Sequence, residues 1–221
     1  MLFVRHASTP GMRTACFPVA DENADPASLA RAHDLAGAHG LASVAVDPVV
    51  TGSVVTGSMT TGSMATGSVA TGSAVAGSAT WVAPSAAARQ TAAALGREAC
   101  VVAALAEADH GRWRGLPYGR VAQEEPDALA SWLADPDAAP HGGESLTMLA
   151  ARVADWLDSV RGEPEAVVVC DAGAIRAALG HALGLDPPRA ARFDLAPLSI
   201  TELTVTRGGW RVAHVNRKIL S

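Results

Sequence analysis

Two short apolar runs end in groups that can move a proton or hold an anion. Residues 2–5 read LFVR and hand on to His6, and residues 166–170 read AVVVC and hand on to Asp171. A second acid, Glu107, sits in the stretch LAEADHGRWRG, after another apolar segment. A histidine beside a guanidinium is equipped to act as base or nucleophile toward an anion, because the cation offsets the charge the imidazole must approach. Carboxyl groups can supply or accept the accompanying proton. If these runs are strands of one parallel sheet, their C-terminal ends share an edge, and open α/β sheets bind ligands at that edge. Arg5, His6, Glu107 and Asp171 are therefore expected in one cleft.

The elements that would position them alternate in type. Strands are expected at residues 2–5, 80–83, 100–103 and 166–170, and helices at 26–39, 85–97, 124–134, 146–160 and 174–183. Ser85 and Ser145 stand where a helix N-cap is wanted. Residues 200–206 and 210–214 should pair across Gly208-Gly209 as a hairpin. Strands alternating with helices predict an α/β fold, a three-layer sandwich with a mostly parallel sheet covered by helices on both faces. One segment breaks the pattern. Residues 51–79 repeat TGSVV, TGSMT, TGSMA and similar units with period five, which fits neither a helix face nor strand alternation. Gly and Ser in each unit add backbone entropy, so a flexible low-complexity insert in a single domain spanning 1–221 is expected, with a small β-solenoid as the alternative.

Composition excludes several classes. The chain has 221 residues, 49% hydrophobic and 18% charged, which suits one globular core. A net charge of -5 favours neither nucleic acid nor an anionic membrane as partner. Three cysteines, Cys16, Cys100 and Cys170, lack metal-ligand spacing and are odd in number, so a disulfide framework is not expected and a reducing, cytoplasmic setting is. The residues after Met1 show no signal-peptide pattern, and no run of 18 apolar residues could span a membrane.

Five stretches together resemble the histidine phosphatase (phosphoglycerate mutase-like) superfamily. LFVRHAST is similar to its Arg-His-Gly motif, WVAPSAAARQTAAAL to its Ser-Pro-x-x-Arg-Ala-x-Gln-Thr-Ala stretch, and LAEADHGRWRG to Leu-x-Glu-x-x-x-Gly-x-Trp-x-Gly. PHGGESLTMLAARV resembles the Gly-Gly-Glu-Ser helix start, and VVVCDAGAIRAAL resembles Val-x-Ser-His-Gly-Gly-x-Ile-Arg. The resemblance covers most of the chain outside the repeats. It implies that His6 is the nucleophile that becomes phosphohistidine, Arg5 a phosphate-binding cation, Thr9 a hydroxyl near the phosphate and Glu107 the proton donor to the leaving oxygen. The implied substrate is a small phosphorylated metabolite, and no metal or organic cofactor is implied.

Two positions depart from that pattern. The second histidine of the family falls on Asp171, and its second phosphate-binding arginine falls on Ala87. Arg89 could partly replace that arginine, although it lies about 200° further round the helix. Two unit charges about 4 Å apart interact by roughly 4 kcal/mol at an effective dielectric of 20. An ionised Asp171 therefore opposes phosphate binding unless a cation or a proton offsets it. Three readings follow: a divergent phosphatase acting through His6, a catalytically impaired binding module on the same fold, or a repurposed enzyme using His6, Glu107 and Asp171 for acid–base chemistry. In the impaired reading, Asp171 pairs with Arg5. Arg176 reads as structural, Trp113 as packing beneath the Glu107 loop and Cys170 as a buried thiol. His110 and His141 read as solvated loop residues at the cleft border, with the alternative that either replaces a missing cation, and His33, His39, His181 and His214 as surface or packing residues.

Overall fold

A computed structural model describes residues 1–38, 79–163 and 165–218. The period-five segment lies outside these residues except for Ala79, as does His39. The sheet has six strands in the order β3-β2-β4-β1-β5-β6. They are β1 Leu2–Arg5, β2 Thr80–Val82, β3 Cys100–Val101, β4 Val167–Cys170, β5 Ile200–Thr206 and β6 Gly209–Arg217. Four strands are mutually parallel, with β2 between β3 and β4 and with β4 beside β1. The hairpin β5–β6 adds on antiparallel. All four residues of β4 are buried, and since successive side chains point to opposite faces, both faces of the sheet are covered.

The helices follow from local chemistry. Helix α6, Leu146–Ser159, starts at Ser145, whose hydroxyl accepts from the Met148 amide at 3.2 Å. It buries Leu149, Val153 and Leu157, a stripe at four-residue spacing, while Trp156 meets Phe3 and Trp81 edge-on. Helix α7, Ala172–Leu183, ends at Gly184 with φ 66, a left-handed position that glycine adopts without steric cost. Helices α2, Pro26–Ala38, and α3, Ala86–Ala94, pack on each other, and α3 packs on β4. Two short helices, α1, Pro10–Arg13, and α8, Pro187–Ala190, lie outside the main core, with α8 packed on α7.

The helix expected over 124–134 starts two residues later, and Glu124 ends a separate helix. Helix α4 is Tyr118–Glu124 and α5 is Pro126–Ala134. Pro126 has no amide to donate and disfavours helical backbone at Glu125, so it opens a new helix at its first position. Together with the 3-10 turn Gly111–Trp113, these helices pack around a second small core of Phe17, Trp113 and Val121. It is tied down by Phe17 N–H to Leu116 O at 2.9 Å and Tyr118 N–H to Ala15 O at 2.9 Å.

The Ser145 cap is directly testable. Urea unfolding of Ser145→Ala should show a loss of about 1 kcal/mol with an unchanged m value. A variant as stable as the natural chain would mean that the hydroxyl is not what holds the first turn of α6.

Candidate active site

The register of β1 on β4 builds the site. Arg5 lies opposite Cys170, and His6 N–H donates to Cys170 O at 3.1 Å, so His6 and Asp171 emerge side by side where the strands end. The two side chains touch, His6 Nε2 to Asp171 Oδ1 at 3.0 Å, with each residue 6% exposed. The other ring nitrogen, Nδ1, lies 2.7 Å from the Ala7 carbonyl. A carbonyl only accepts, so Nδ1 carries a proton, and the contact with Asp171 is favourable when Nε2 carries one too. Burial opposes the charged imidazole, but the hydrogen bond and charge of Asp171, with the Ala7 carbonyl, outweigh it and raise the His6 pKa above its ordinary value.

Thr91 on α3 supports this geometry. Its hydroxyl accepts from the Ala7 amide at 2.9 Å and donates to Ala87 O at 2.7 Å, which fixes the peptide that orients His6. Ser85 does something the sequence reading did not anticipate. It occupies the N-cap position of α3, but its hydroxyl makes no cap; it donates to Asp171 Oδ2 at 3.1 Å. Both carboxylate oxygens of Asp171 are therefore engaged.

The expected pairing of Asp171 with Arg5 is not what the structure has. Arg5 instead donates to the Leu195 carbonyl, and its Nε is buried with no partner among the described residues. Burial, then the nearby charge of Arg176, lower the Arg5 pKa. Arg176 itself lines the cleft, held by Nε–H to Phe193 O at 3.0 Å. It is thus anchored, as a structural reading requires, and it also presents a second cation to the cleft. Ala87 is buried at the cleft wall, and Arg89 is exposed on α3 and not among the lining residues. The helix turn between them carries Arg89 away from the cleft lining. Thr9 lines the cleft, and its hydroxyl accepts from Met12 N–H at 3.4 Å as the N-cap of α1.

Glu107 reaches the same cleft from the loop after β3. Its two oxygens accept from Ala108 N–H at 2.9 Å and from Gly173 N–H at 2.8 Å in the first turn of α7. A Cβ on Gly173 would lie 1.8 Å from Glu107 Oε1, so only glycine lets the carboxylate approach this helix start. The loop is clamped from α6 by Arg152, which donates to Ala104 O at 2.7 Å, Ala106 O at 2.8 Å and Glu107 O at 3.2 Å. Glu144 holds Arg152 in turn, at 2.6 and 2.8 Å.

His110 and His141 are buried, not solvated as the loop reading had them. They lie 5.7 Å apart among Phe17, Trp113 and Trp132, with His110 Nδ1 and His141 Nε2 unpartnered among the described residues. Burial lowers both pKa values, against the nearby charge of Glu107 for His110 and aided by His110 for His141. Trp113 is fully buried, as expected for packing. Cys170 is too, and burial, then the charge of Asp171, push its thiol well up, so it stays protonated. His33, His181 and His214 lie at the surface. The whole cleft encloses about 700 Å³. Among the described residues no cluster of three or more His, Cys, Asp or Glu is arranged to hold a metal, and no helix is long and apolar enough to cross a membrane.

Residues 68–218 match the family described as the histidine phosphatase superfamily (branch 1); Arg5 and His6 precede the matched stretch. The chain is 34% identical over 116 residues to a glucosyl-3-phosphoglycerate phosphatase of Mycobacterium tuberculosis, covering 48% of this chain and 52% of that one. It is 32% identical over 123 residues to a bifunctional protein of the same species, covering 50% of this chain and 32% of that one. The chain thus spans between a third and about half the length of these curated relatives. Among solved structures, a mycobacterial glucosyl-3-phosphoglycerate phosphatase superposes with a TM-score of 0.72 at 21% identity, over 99% of this chain and 98% of that one. A phosphoserine phosphatase from Entamoeba histolytica gives 0.73 at 15% identity, over 97% and 95%. At such identities the likeness establishes the fold.

Two outcomes test this geometry. Gly173→Ala should drive Glu107 off the helix start, visible in a crystal structure of the variant, and lower stability by about 1–3 kcal/mol as the Gly173 amide loses its acceptor. The buried histidines predict a pH effect. A histidine whose pKa is lower folded than unfolded takes up a proton on unfolding, so its contribution to stability is lost as pH falls through the unfolded value near 6.5. Stability measured between pH 7.5 and 5.5 should fall, and fall less in His110→Phe. His6 acts in the opposite sense, being favourable at low pH, so the comparison between the two proteins is the deciding one.

Proposed function

Because the chain belongs to the histidine phosphatase superfamily (branch 1), we propose that it hydrolyses a small phosphomonoester by way of a phosphohistidine at His6. The observation that carries this reading is the fixed orientation of His6: Nδ1 is tied to the Ala7 carbonyl, so Nε2, which meets Asp171, is the nitrogen left for attack once Asp171 takes its proton. Arg5 and Arg176 line the same cleft and repel each other, an arrangement that an anion between them would relieve.

Attack requires the Nε2 lone pair, and Asp171 is the group that can free it. The Nε2 proton passes to Asp171 Oδ1 across the 3.0 Å contact, leaving a neutral imidazole beside a neutral carboxylic acid. The acid no longer repels phosphate and can donate a hydrogen bond to it. Nε2 then forms a bond to phosphorus as the ester P–O bond breaks, and the leaving oxygen takes a proton from Glu107, which enters the step protonated. Water next attacks the phosphohistidine, gives its proton to Glu107, and releases phosphate and Nε2. The substrate would be a small phosphorylated metabolite, as the names of the similar phosphatases suggest.

A second reading has its own support. Asp171 sits on the nitrogen that would attack, and Ala87 fills the wall where the family's second phosphate-binding arginine is expected. Both suit a binding module that has lost turnover.

Assay of a phosphomonoester panel separates the two. On the hydrolase reading, His6→Ala abolishes turnover, by roughly a thousandfold or more, with the fold intact. Activity should fall as pH rises above the raised pKa of His6, because the proton that passes to Asp171 is then lost. Asp171→Asn should cost about a hundredfold and remove that limb, since an amide cannot take the proton. If the natural chain is inactive and forms no acid-labile phosphohistidine, while Asp171→His with Ala87→Arg is active, the binding-module reading stands.

A further inference from the structure

Glu107 marks the side of the cleft where a leaving group would lie, since it is the acid placed to protonate the departing oxygen. Tyr118 and His110 flank it, both close enough to feel its charge. The lining of the same cleft also includes Met12, Pro18, Val19 and Trp132. The rings are held in place from behind by buried Phe17, whose centroid lies 4.0 Å from that of Tyr118, 5.2 Å from His110 and 5.9 Å from Trp132. This platform exists before any ligand arrives, so a flat group can rest on it at little entropic cost.

Of the wall's polar groups, His110 Nδ1 has no partner among the described residues, while two others are engaged. Glu22 is committed to the Gly11 amide at 2.6 Å, and the Cys16 thiol lies 3.3 Å from the Thr14 hydroxyl. A sugar or amino-acid leaving group would bring several hydroxyl or ammonium groups against methyl, thioether and ring surface. Buried polar groups left without partners are costly, whereas apolar surface gains from the same burial. The cleft, at about 700 Å³, also holds far more than a phosphoryl group.

We infer that the leaving group of the natural phosphomonoester is a flat, apolar alcohol seated against Tyr118, Trp132 and Met12, with its oxygen beside Glu107. The inference rests on the hydrolase reading above for its chemistry and on the aromatic wall for its specificity. It assigns Tyr118, Trp132 and Met12 to substrate selection and gives them no part in the phosphoryl transfer.

The test compares esters of matched intrinsic reactivity, because aryl phosphates hydrolyse easily for reasons unrelated to the wall. The full chain is assayed with 2-naphthylmethyl phosphate, glycerol 1-phosphate and decyl phosphate, all of which release a primary alcohol. The expected result is a kcat/KM for the naphthylmethyl ester at least tenfold above both others. In Tyr118→Ser, and separately in Met12→Asn, that preference should shrink to within about threefold, chiefly through KM. Met12 is only half-buried, so its variant keeps the test alive should the Tyr118 change disturb the small core. A chain that hydrolyses glycerol phosphate as well as the naphthylmethyl ester, or that prefers the decyl ester, overturns the inference while leaving the hydrolase reading in place. If no ester is turned over, the hydrolase reading fails, and binding decides the wall alone. Tryptophan fluorescence should then show 2-naphthylmethylphosphonate binding at least tenfold tighter than methylphosphonate, and equal affinities overturn the inference.

Discussion

An imidazole and a carboxylate, each with almost no solvent access, meet at 3.0 Å where two parallel strands end. Either group alone would be expensive to bury with its charge. Together they satisfy each other, and Ser85 and the Ala7 carbonyl take up the remaining valences. The contact depends on register. Arg5 opposite Cys170 places His6 beside Asp171, and a slip of one residue would turn every side chain of β1 to the other face. Breaking a buried pair by removing one partner typically costs about 3–5 kcal/mol. The sheet edge is therefore committed to this pair, and every other group at the edge is arranged around it.

Glu107 has a different kind of support. It comes from a loop, where a side chain would ordinarily be mobile. Three carbonyls of that loop are gathered by one guanidinium on α6, and the carboxylate itself is seated on the first turn of α7. Helix α6 is in turn started by Ser145, next to Glu144, the residue that holds Arg152. One short stretch thus caps a helix and, through Arg152, positions an acid at the cleft. Gly173 completes the arrangement by having no side chain to displace it.

Much of this architecture is legible in the sequence. The bounds of β1 and β5 are as the sequence suggests. The Ser145 cap is legible because its acceptor lies three residues away in the same chain segment. Convergence of Arg5, His6, Glu107 and Asp171 follows from parallel strands alone. What is not legible is which neighbour a polar group chooses. Ser85 reads as a cap whether its hydroxyl turns to its own helix or to Asp171, and only the adjacency of β2 and β4 decides. Asp171 could face Arg5 or His6 equally well until the register is known. His110 and His141 look like loop residues because Phe17, Trp113 and Trp132, which enclose them, lie far apart along the chain. Arg176 looks structural because its anchor, the Phe193 carbonyl, and its neighbour Arg5 are both remote in sequence.

The charge balance of the cleft follows from these contacts. On the reading in which Glu107 enters as an acid, Arg5, Arg176 and a protonated His6 face the carboxylate of Asp171. A phosphate dianion entering that arrangement meets attraction and repulsion from the same wall. Moving one proton from His6 Nε2 to Asp171 Oδ1 leaves the net charge untouched but redistributes it. The cation at His6 and the anion at Asp171 vanish together, while the two guanidiniums remain for the anion. Burial of the imidazole works in the direction of that transfer, since desolvation opposes its charged form. On the proposed reading, then, the missing arginine at Ala87 and the acid at Asp171 are linked departures. A cleft with fewer fixed cations binds a dianion best when its own carboxylate is neutral, and the histidine that must lose a proton to become a nucleophile is the nearest source of the one that neutralises it.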